Sequence, residues 1–402
     1  MDVLNIRRQW RDPELLQKFQ DEKLAAVLQA ASQTSYYKQR VDFPADSIYD
    51  FPITEKSDVK KDPCSFIRDG LDKGKLTEYR TSGSTGEPVK IFVDKETIMF
   101  RKCLYHAISF ELGRSPFDVT ALIQSQGDYK KPEFSSNFGL FRNIFIHANE
   151  DVDEILSIMR SNRVNRLSGY ASEVYLLAKA NLKNPIKIDM ALTGSEILTD
   201  DHRKTIEESF SCNVFDKYAC WEFGNIAWEC PEEHSLHVNS NSVLLEIVDS
   251  KGKPKKNGVG EILVTSLHNR AMPLIRYMIG DLAAWGKECS CGRALPVLKS
   301  IEGRCDDLIT LPSGKKITPM AVMAEYRGDI YKGISVYQLI QERPDLIVVK
   351  IVPSKEGFGY EKEFIERIKE GCLGEDVTVE IEIVDKIQRK GGKLRRVISK
   401  VR

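Results

Sequence analysis

The sequence predicts a layered α/β domain with a small β-barrel-like part, followed by a compact C-terminal α+β domain, and three observations predict it. Strand-like and helix-like segments alternate between residues 97 and 216, the pattern of a sheet covered by helices. Val243 to Val248 and Gly260 to Thr265 alternate as strands around the basic turn Ser250 to Asn257, which reads as a hairpin or small barrel. From Leu308 onward, short strands and helices come in the mixed order of an α+β module.

Each element has a local reason. Leu15, Leu16, Phe19, Leu24, Val27 and Leu28 recur at helical spacing, giving one or two helices between Pro13 and Tyr37. Asp62 to Leu76 is turn-rich and leads into a Gly/Ser/Thr loop; Val89 to Val93 then reads as a strand, so the loop joins two strands. Helices are expected at Thr97 to Leu112, Val152 to Asn162, Ser172 to Leu182 and Asp200 to Phe210. Val119 to Gln124 is a buried strand, Ile188 to Leu192 a short one, and Asn213 to Asp216 a third that leads into a Trp-rich loop. The C-terminal part shows a helix from Pro319, strands at Ser335 to Ile340 and Leu346 to Ile351, a helix from Tyr360 and a strand at Val377 to Val384. A boundary near Asp306 divides residues 1–305 from residues 306–402.

Composition excludes some functions. Acidic and basic residues balance at 59 each, so nothing suggests neutralisation of nucleic-acid phosphates. There is no apolar run of bilayer length and no charged-apolar-small leader; a soluble cytoplasmic protein without membrane partners is expected. Nine cysteines, mostly scattered singly, fit reduced thiols, some bound to metal, better than a disulfide scaffold.

Several segments carry chemistry. Arg80-Thr81-Ser82-Gly83-Ser84-Thr85-Gly86-Glu87-Pro88 offers glycine backbone N–H groups and hydroxyl donors that can follow phosphate oxygens. It lacks the Gly-Lys-Ser/Thr ending of a nucleotide P-loop. Thr193-Gly194-Ser195-Glu196 ends a strand, where open α/β sheets bind ligands. In Tyr218-Ala219-Cys220-Trp221-Glu222-Phe223-Gly224, aromatic rings surround an acid able to hold Mg²⁺ on nucleotide phosphates. Asp281, following Gly280, is suited to accept both ribose hydroxyls. Ile301 to Ile309 is a charged linker, and Lys393 follows the glycine turn Gly391-Gly392. Taken singly, these are equally a flexible loop, plain turns, an aromatic core edge with an ion-paired Glu, and a solvated tail. Their order decides.

Together they resemble the adenylate-forming (acyl-CoA synthetase/ligase) superfamily and, within it, the phenylacetate–CoA ligase-like branch, nearest in size to its shorter relatives associated with capsule or antibiotic biosynthesis. The resemblance runs from about Tyr36 to Val397 and is most specific at Thr81–Pro88, Arg276–Asp281, and Cys289 to Arg293 through Glu302 to Asp307. It implies an AMP-forming acid–thiol ligase whose large N-terminal domain holds ATP and acid while a mobile C-terminal domain alternates between two half-reactions. By position, Ser82, Gly83, Ser84, Thr85 and Gly86 would cradle the ATP phosphates, and Gly194, Ser195 and Glu196 would line the adenine or acid pocket. Tyr218 would stack on adenine, Glu222 would bind Mg²⁺, and Asp281 would hold the ribose with Arg304 nearby. Asp306 would be the hinge, and Lys393 would reach the α-phosphate and carboxylate. CoA is the implied thiol acceptor; a carrier-protein thiol, an amine, or a non-catalytic adenylate-binding module stay open, as does a homodimer. One departure stands out: Ala219, Cys220 and Trp221 fill positions that are usually Gly and Ser or Thr, making the local pocket bulkier.

Cys230, His234 or His237, Cys289 and Cys291 supply the S/N ligands that zinc prefers; unrelated buried thiols are the alternative. Cys-X-Cys-Gly-Arg elements in the resembled branch favour a structural zinc site. His237 is preferred over His234 because it lies beside strand residues Leu236 and Val238, whereas His234 lies in a polar turn.

Overall fold

The computed structural model describes residues 3–80, 88–124, 139–148, 150–323, 333–354, 357–389 and 394–401. The chain forms two compact units, Met1–Arg114 with Lys217–Ser300 and Ser115–Asp216 with Ile301–Arg402.

In the first unit, helix Pro13–Ala31 starts where Asp12 accepts a hydrogen bond from the Leu15 N–H at 3.0 Å, with Pro13 just inside. The cap satisfies an otherwise orphaned donor, and proline loses nothing there. Leu16, Phe19, Val27 and Leu28 form its buried stripe. Helix Lys95–Glu111 begins likewise at Asp94, which accepts from the Thr97 N–H at 2.7 Å. At its far end Glu111 accepts from Arg7 (2.6 Å), Arg11 (3.3 Å) and Arg293 Nε (3.1 Å), with a second, shorter Arg293 contact. Burial works against the Glu111 charge, but these guanidinium groups outweigh it and hold its pKa below the usual value.

Strands Thr77–Arg80 and Lys90–Val93 pair antiparallel with Arg80 opposite Lys90, so the Gly/Ser/Thr loop does join two strands. The loop itself lies outside the described residues. The remaining strands run in the order Val243–Val248, Val259–Ser266, Tyr277–Trp285, Val297–Arg304, Leu236–Val238, Gly224–Glu229 and Asn213–Cys220. This corrects the barrel-like expectation. A barrel needs its end strands to meet with matched tilt and stagger, whereas here Val243–Val248 and its neighbours belong to an open strand order. The stretch expected as a Trp-rich loop is a hairpin, in which Asn213–Cys220 pairs antiparallel with Gly224–Glu229 and turns through Trp221 to Phe223.

In the second unit, parallel strands Met190–Gly194, Arg166–Tyr170, Val119–Gln124 and Arg142–His147 lie in that order. Parallel pairing requires crossovers, and helices Val152–Ser161 and Ala171–Asn181 lie between consecutive strands in the chain. Their Ile155, Met159, Val174 and Leu177 pack with Ile206 and Phe210 of helix Asp200–Phe210. Met190–Gly194 is buried along its whole length, as expected of a strand covered on both faces. The C-terminal α+β part has the order Thr378–Ile383, Leu346–Pro353, Ile334–Arg343, Val397–Ser399. Ile347, Val349 and Ile351, two apart on one strand face, pack with Phe364 and Ile368, one turn apart on helix Glu361–Gly371. Within this unit Arg396 donates to His202 Nε2 at 2.8 Å; burial first, then the Arg396 charge, pushes the His202 pKa well down, so the ring stays neutral and can accept. Among the described residues, no helix is long and apolar enough to cross a membrane.

Candidate functional site

The antiparallel hairpin in the first unit sets Tyr218 on one strand and Glu222 at the turn. Strand Tyr277–Trp285 supplies Tyr277 and Asp281. Tyr218 OH donates to Asp281 Oδ2 at 2.6 Å, which fixes the carboxylate beside the ring. Glu222 is only 5% exposed and accepts a long hydrogen bond, 3.4 Å, from Tyr277 OH. A carboxylate offers about four lone-pair directions, so Glu222 retains acceptor capacity suited to a hard cation. Arg101, on helix Lys95–Glu111, donates to the carbonyl oxygens of Trp221 and Glu222 at 3.1 and 2.6 Å. The Trp221 ring stacks on Tyr79, with centroids 5.4 Å apart and planes 25° from parallel.

In the second unit, Gly194 ends its strand and Ser195 takes φ +67°. Glu196 then accepts from the Ser172 N–H at 3.0 Å and from the Leu394 N–H at 2.8 Å. Arg389 donates to Ser172 Oγ at 3.1 Å and pairs with Glu173. Lys393 lies outside the described residues, as do Ser82, Gly83, Ser84, Thr85 and Gly86. Arg304 and Asp306 face each other at 3.9 Å. Gly303 precedes them at φ +105°, and a Cβ there would come within 2.9 Å of Pro319 Cγ, so only glycine fits this end of strand Val297–Arg304.

The thiols and imidazole named from the sequence converge in the first unit. The ligand atoms of Cys230, His237, Cys289 and Cys291 all lie within 4.8 Å of one another. Cys289 and Cys230 sulfurs are 3.7 Å apart, and Cys291 Sγ is 3.2 Å from His237 Nε2. Zinc–sulfur bonds of about 2.3 Å arranged tetrahedrally give edges of about 3.7 Å, so the donor set fits that ion. His234 turns aside at φ +54°, its Nδ1 lying 2.7 Å from Glu229. Burial raises the Cys291 thiol pKa, but hydrogen bonds from Arg293 outweigh it and favour the thiolate; Arg293 Nη1 also donates to Cys230 Sγ at 3.6 Å.

Sequence reasoning missed Arg101, Tyr277 and the Glu111–Arg293 pair. A single arginine or tyrosine in a periodic segment carries no local signal; only contacts across 121 residues for Arg101–Glu222 and 182 for Arg293–Glu111 reveal them.

Residues 309–400 match the CapK C-terminal domain family. The chain is 24% identical over 383 residues to Protein CapK of Staphylococcus aureus, covering 89% of this chain and 81% of that protein. It is 32% identical over 164 residues to a phenylacetate-coenzyme A ligase of Thermus thermophilus, covering 39% of this chain and 36% of that one. A solved 2-hydroxyisobutyryl-CoA ligase, in the postadenylation state with an acyl-AMP, superposes with a TM-score of 0.80 at 18% identity, covering 98% of this chain and 92% of that one. That structural likeness shows the fold, a large mixed α/β part with a smaller C-terminal α+β part. In sequence the chain is similar, at modest identity, to CapK along most of its length and to phenylacetate-coenzyme A ligase over a shorter stretch.

Proposed function

We propose that this chain activates a carboxylic acid, aromatic or otherwise compact, with ATP to form an acyl-adenylate and pyrophosphate, then passes the acyl group to CoA with release of AMP. The observation that carries the reading is the Tyr218–Asp281 pair beside buried Glu222 within this fold. A stacking ring and a ribose acceptor, fixed together, are what a nucleotide needs. Solved structures of similar fold hold acyl-AMP, and two of them hold CoA as well, which supports both half-reactions.

A carboxylate and a triphosphate repel each other, so the chain must supply positive charge and fixed donors where charge gathers. In this reading Ser82 to Gly86 cradle the phosphates, Gly194 to Glu196 and Arg304 border the nucleotide and acid, and Lys393 approaches the carboxylate and α-phosphate. Bound Mg²⁺ would supply charge against the triphosphate, and Glu222 would hold it. Residues 1–305 form the substrate-binding domain and 306–402 the mobile one, turning at Asp306. Cys230, His237, Cys289 and Cys291 would hold a structural zinc. A second reading keeps the adenylation and changes the acceptor to a carrier-protein thiol or an amine. The match to CapK across 89% of the chain, against 39% for a phenylacetate ligase, favours keeping it in view.

The test is pyrophosphate release from Mg·ATP across aryl and short aliphatic acids, with and without CoA. Acid-dependent release stimulated by CoA is expected. Release that CoA does not touch moves the acceptor to the second reading, and absence of ATP binding removes the proposal. Asp281→Ala should raise the KM for ATP about tenfold with little change in kcat, since a charged hydrogen bond is worth roughly 1.5–3 kcal/mol. Unchanged KM in steady-state kinetics would remove Asp281 from the ribose.

A further inference from the structure

We propose that Arg101 is a positioning residue that clamps the Trp221–Glu222 turn and so fixes the Glu222 carboxylate for a metal-bound nucleotide; the inference rests on the reading of Glu222 given above. The guanidinium donates to two consecutive carbonyl oxygens, those of Trp221 and Glu222. A planar fork with donors in fixed directions can hold both at once, which a single ammonium cannot do as rigidly. The turn is open to the clamp because residue 224 is glycine. It takes φ +75°, and a Cβ there would come within 3.2 Å of Arg101 Cδ. The same turn is pinned from its outer side by the Tyr79–Trp221 stack. Tyr79 belongs to strand Thr77–Arg80, which leads into residues 81–87.

Fixing the turn matters because the ties to the Glu222 side chain are weak ones, a long 3.4 Å hydrogen bond from Tyr277 OH and one from the Cys220 thiol. Its place is therefore set by its backbone, and Arg101 sets the backbone. Burial pushes the Arg101 pKa below its usual value, and Cys220, Tyr79, Glu222 and Asp94 offset only part of that push. That arrangement costs desolvation, which a side chain serving only to fill space would avoid.

The experiment uses the full chain with Mn²⁺ and ATP as probes, comparing Arg101→Met, Arg101→Lys and Glu222→Gln. Electron paramagnetic resonance gives Mn²⁺ affinity in the presence of ATP. Acrylamide quenching of Trp221, isolated by difference from Trp221→Phe, reports the turn without metal or nucleotide. Arg101→Met should weaken Mn²⁺ about tenfold, leave ATP affinity in EDTA unchanged and raise Trp221 quenching about twofold; Arg101→Lys should recover most of the loss. If Glu222→Gln weakens Mn²⁺ while Arg101→Met does not, the positioning role is overturned and the Glu222 reading stands. If neither variant weakens it, the Glu222 reading falls and takes this inference with it. Should Arg101→Met fail to fold, Arg101→Lys decides: about threefold weaker Mn²⁺ binding supports the clamp, and wild-type affinity overturns it.

Discussion

Lys393→Ala should lower acid-dependent pyrophosphate release by about 10²–10³-fold, the scale on which a single fixed donor to developing charge contributes. Thioester formation from a supplied acyl-adenylate and CoA should stay within about threefold of the unaltered protein. The asymmetry follows from the chemistry. In the first half-reaction, negative charge gathers around the α-phosphorus as an anionic carboxylate attacks it, and an ammonium there lowers the barrier. In the second, the thiol attacks a carbonyl whose leaving group is already activated, so the lysine has little left to do. Arg389 pairs with Glu173, and the Leu394 N–H donates to Glu196, so the described residues on both sides of Lys393 are tied to polar groups of the same unit. Rapid-quench assays of each half-reaction provide the check. Equal losses in both would mean that one fixed site serves the whole cycle, and the alternation proposed at Asp306 would fall.

Zinc removal should have the largest effect on stability. Chelation, or Cys291→Ser, is expected to lower the melting temperature by about 10 °C or more, with turnover per folded molecule little changed. Structural zinc binding supplies about 10–16 kcal/mol to small metal-dependent folds; a few kcal/mol of that retained here would shift melting by this amount. The four donors come from two distant segments, residues 230–237 and 289–291, so the ion would close a long loop. The surrounding ties are themselves costly to disturb. Arg293 reaches Cys230, Glu232 and the buried Glu111, and loosening the cluster leaves those charges without their geometry. Because thiols must lose protons to bind the ion, the stabilisation should weaken as pH falls. Elemental analysis and calorimetry test this together. Metal-free protein with an unchanged melting temperature on chelation would show that the thiols are merely buried neighbours.

The sequence by itself determined what short-range pattern can encode. Apolar periods placed the helices, the strands at Val119–Gln124 and Ile188–Leu192 and most of the C-terminal module, because an element shows its buried face in its own spacing. Arg142–His147, Arg166–Tyr170 and Val397–Ser399 were not legible in this way. Strand Thr77–Arg80 was implied only by the loop that follows it, but its partner after residues 81–87 was legible from its own spacing. So was the order of motifs from the Gly/Ser/Thr loop to the terminal lysine, which carried the superfamily resemblance. Tertiary structure alone decided the rest. Alternation in Val243–Val248 and Val259–Ser266 is the same for a closed barrel and an open sheet; the open order depends on which strands become neighbours. Asn213–Cys220 continues past the point where its apolar pattern ends because Gly224–Glu229 pairs with it. The compact units likewise join segments far apart in the chain, and no local composition marks such a junction. Arg101 is an ordinary arginine in sequence, and the motif that contains Arg293 gives no sign that it pairs with Glu111. A guanidinium acquires its role only when folding brings an acceptor from a distant strand within about 3 Å and removes the water that would otherwise satisfy it.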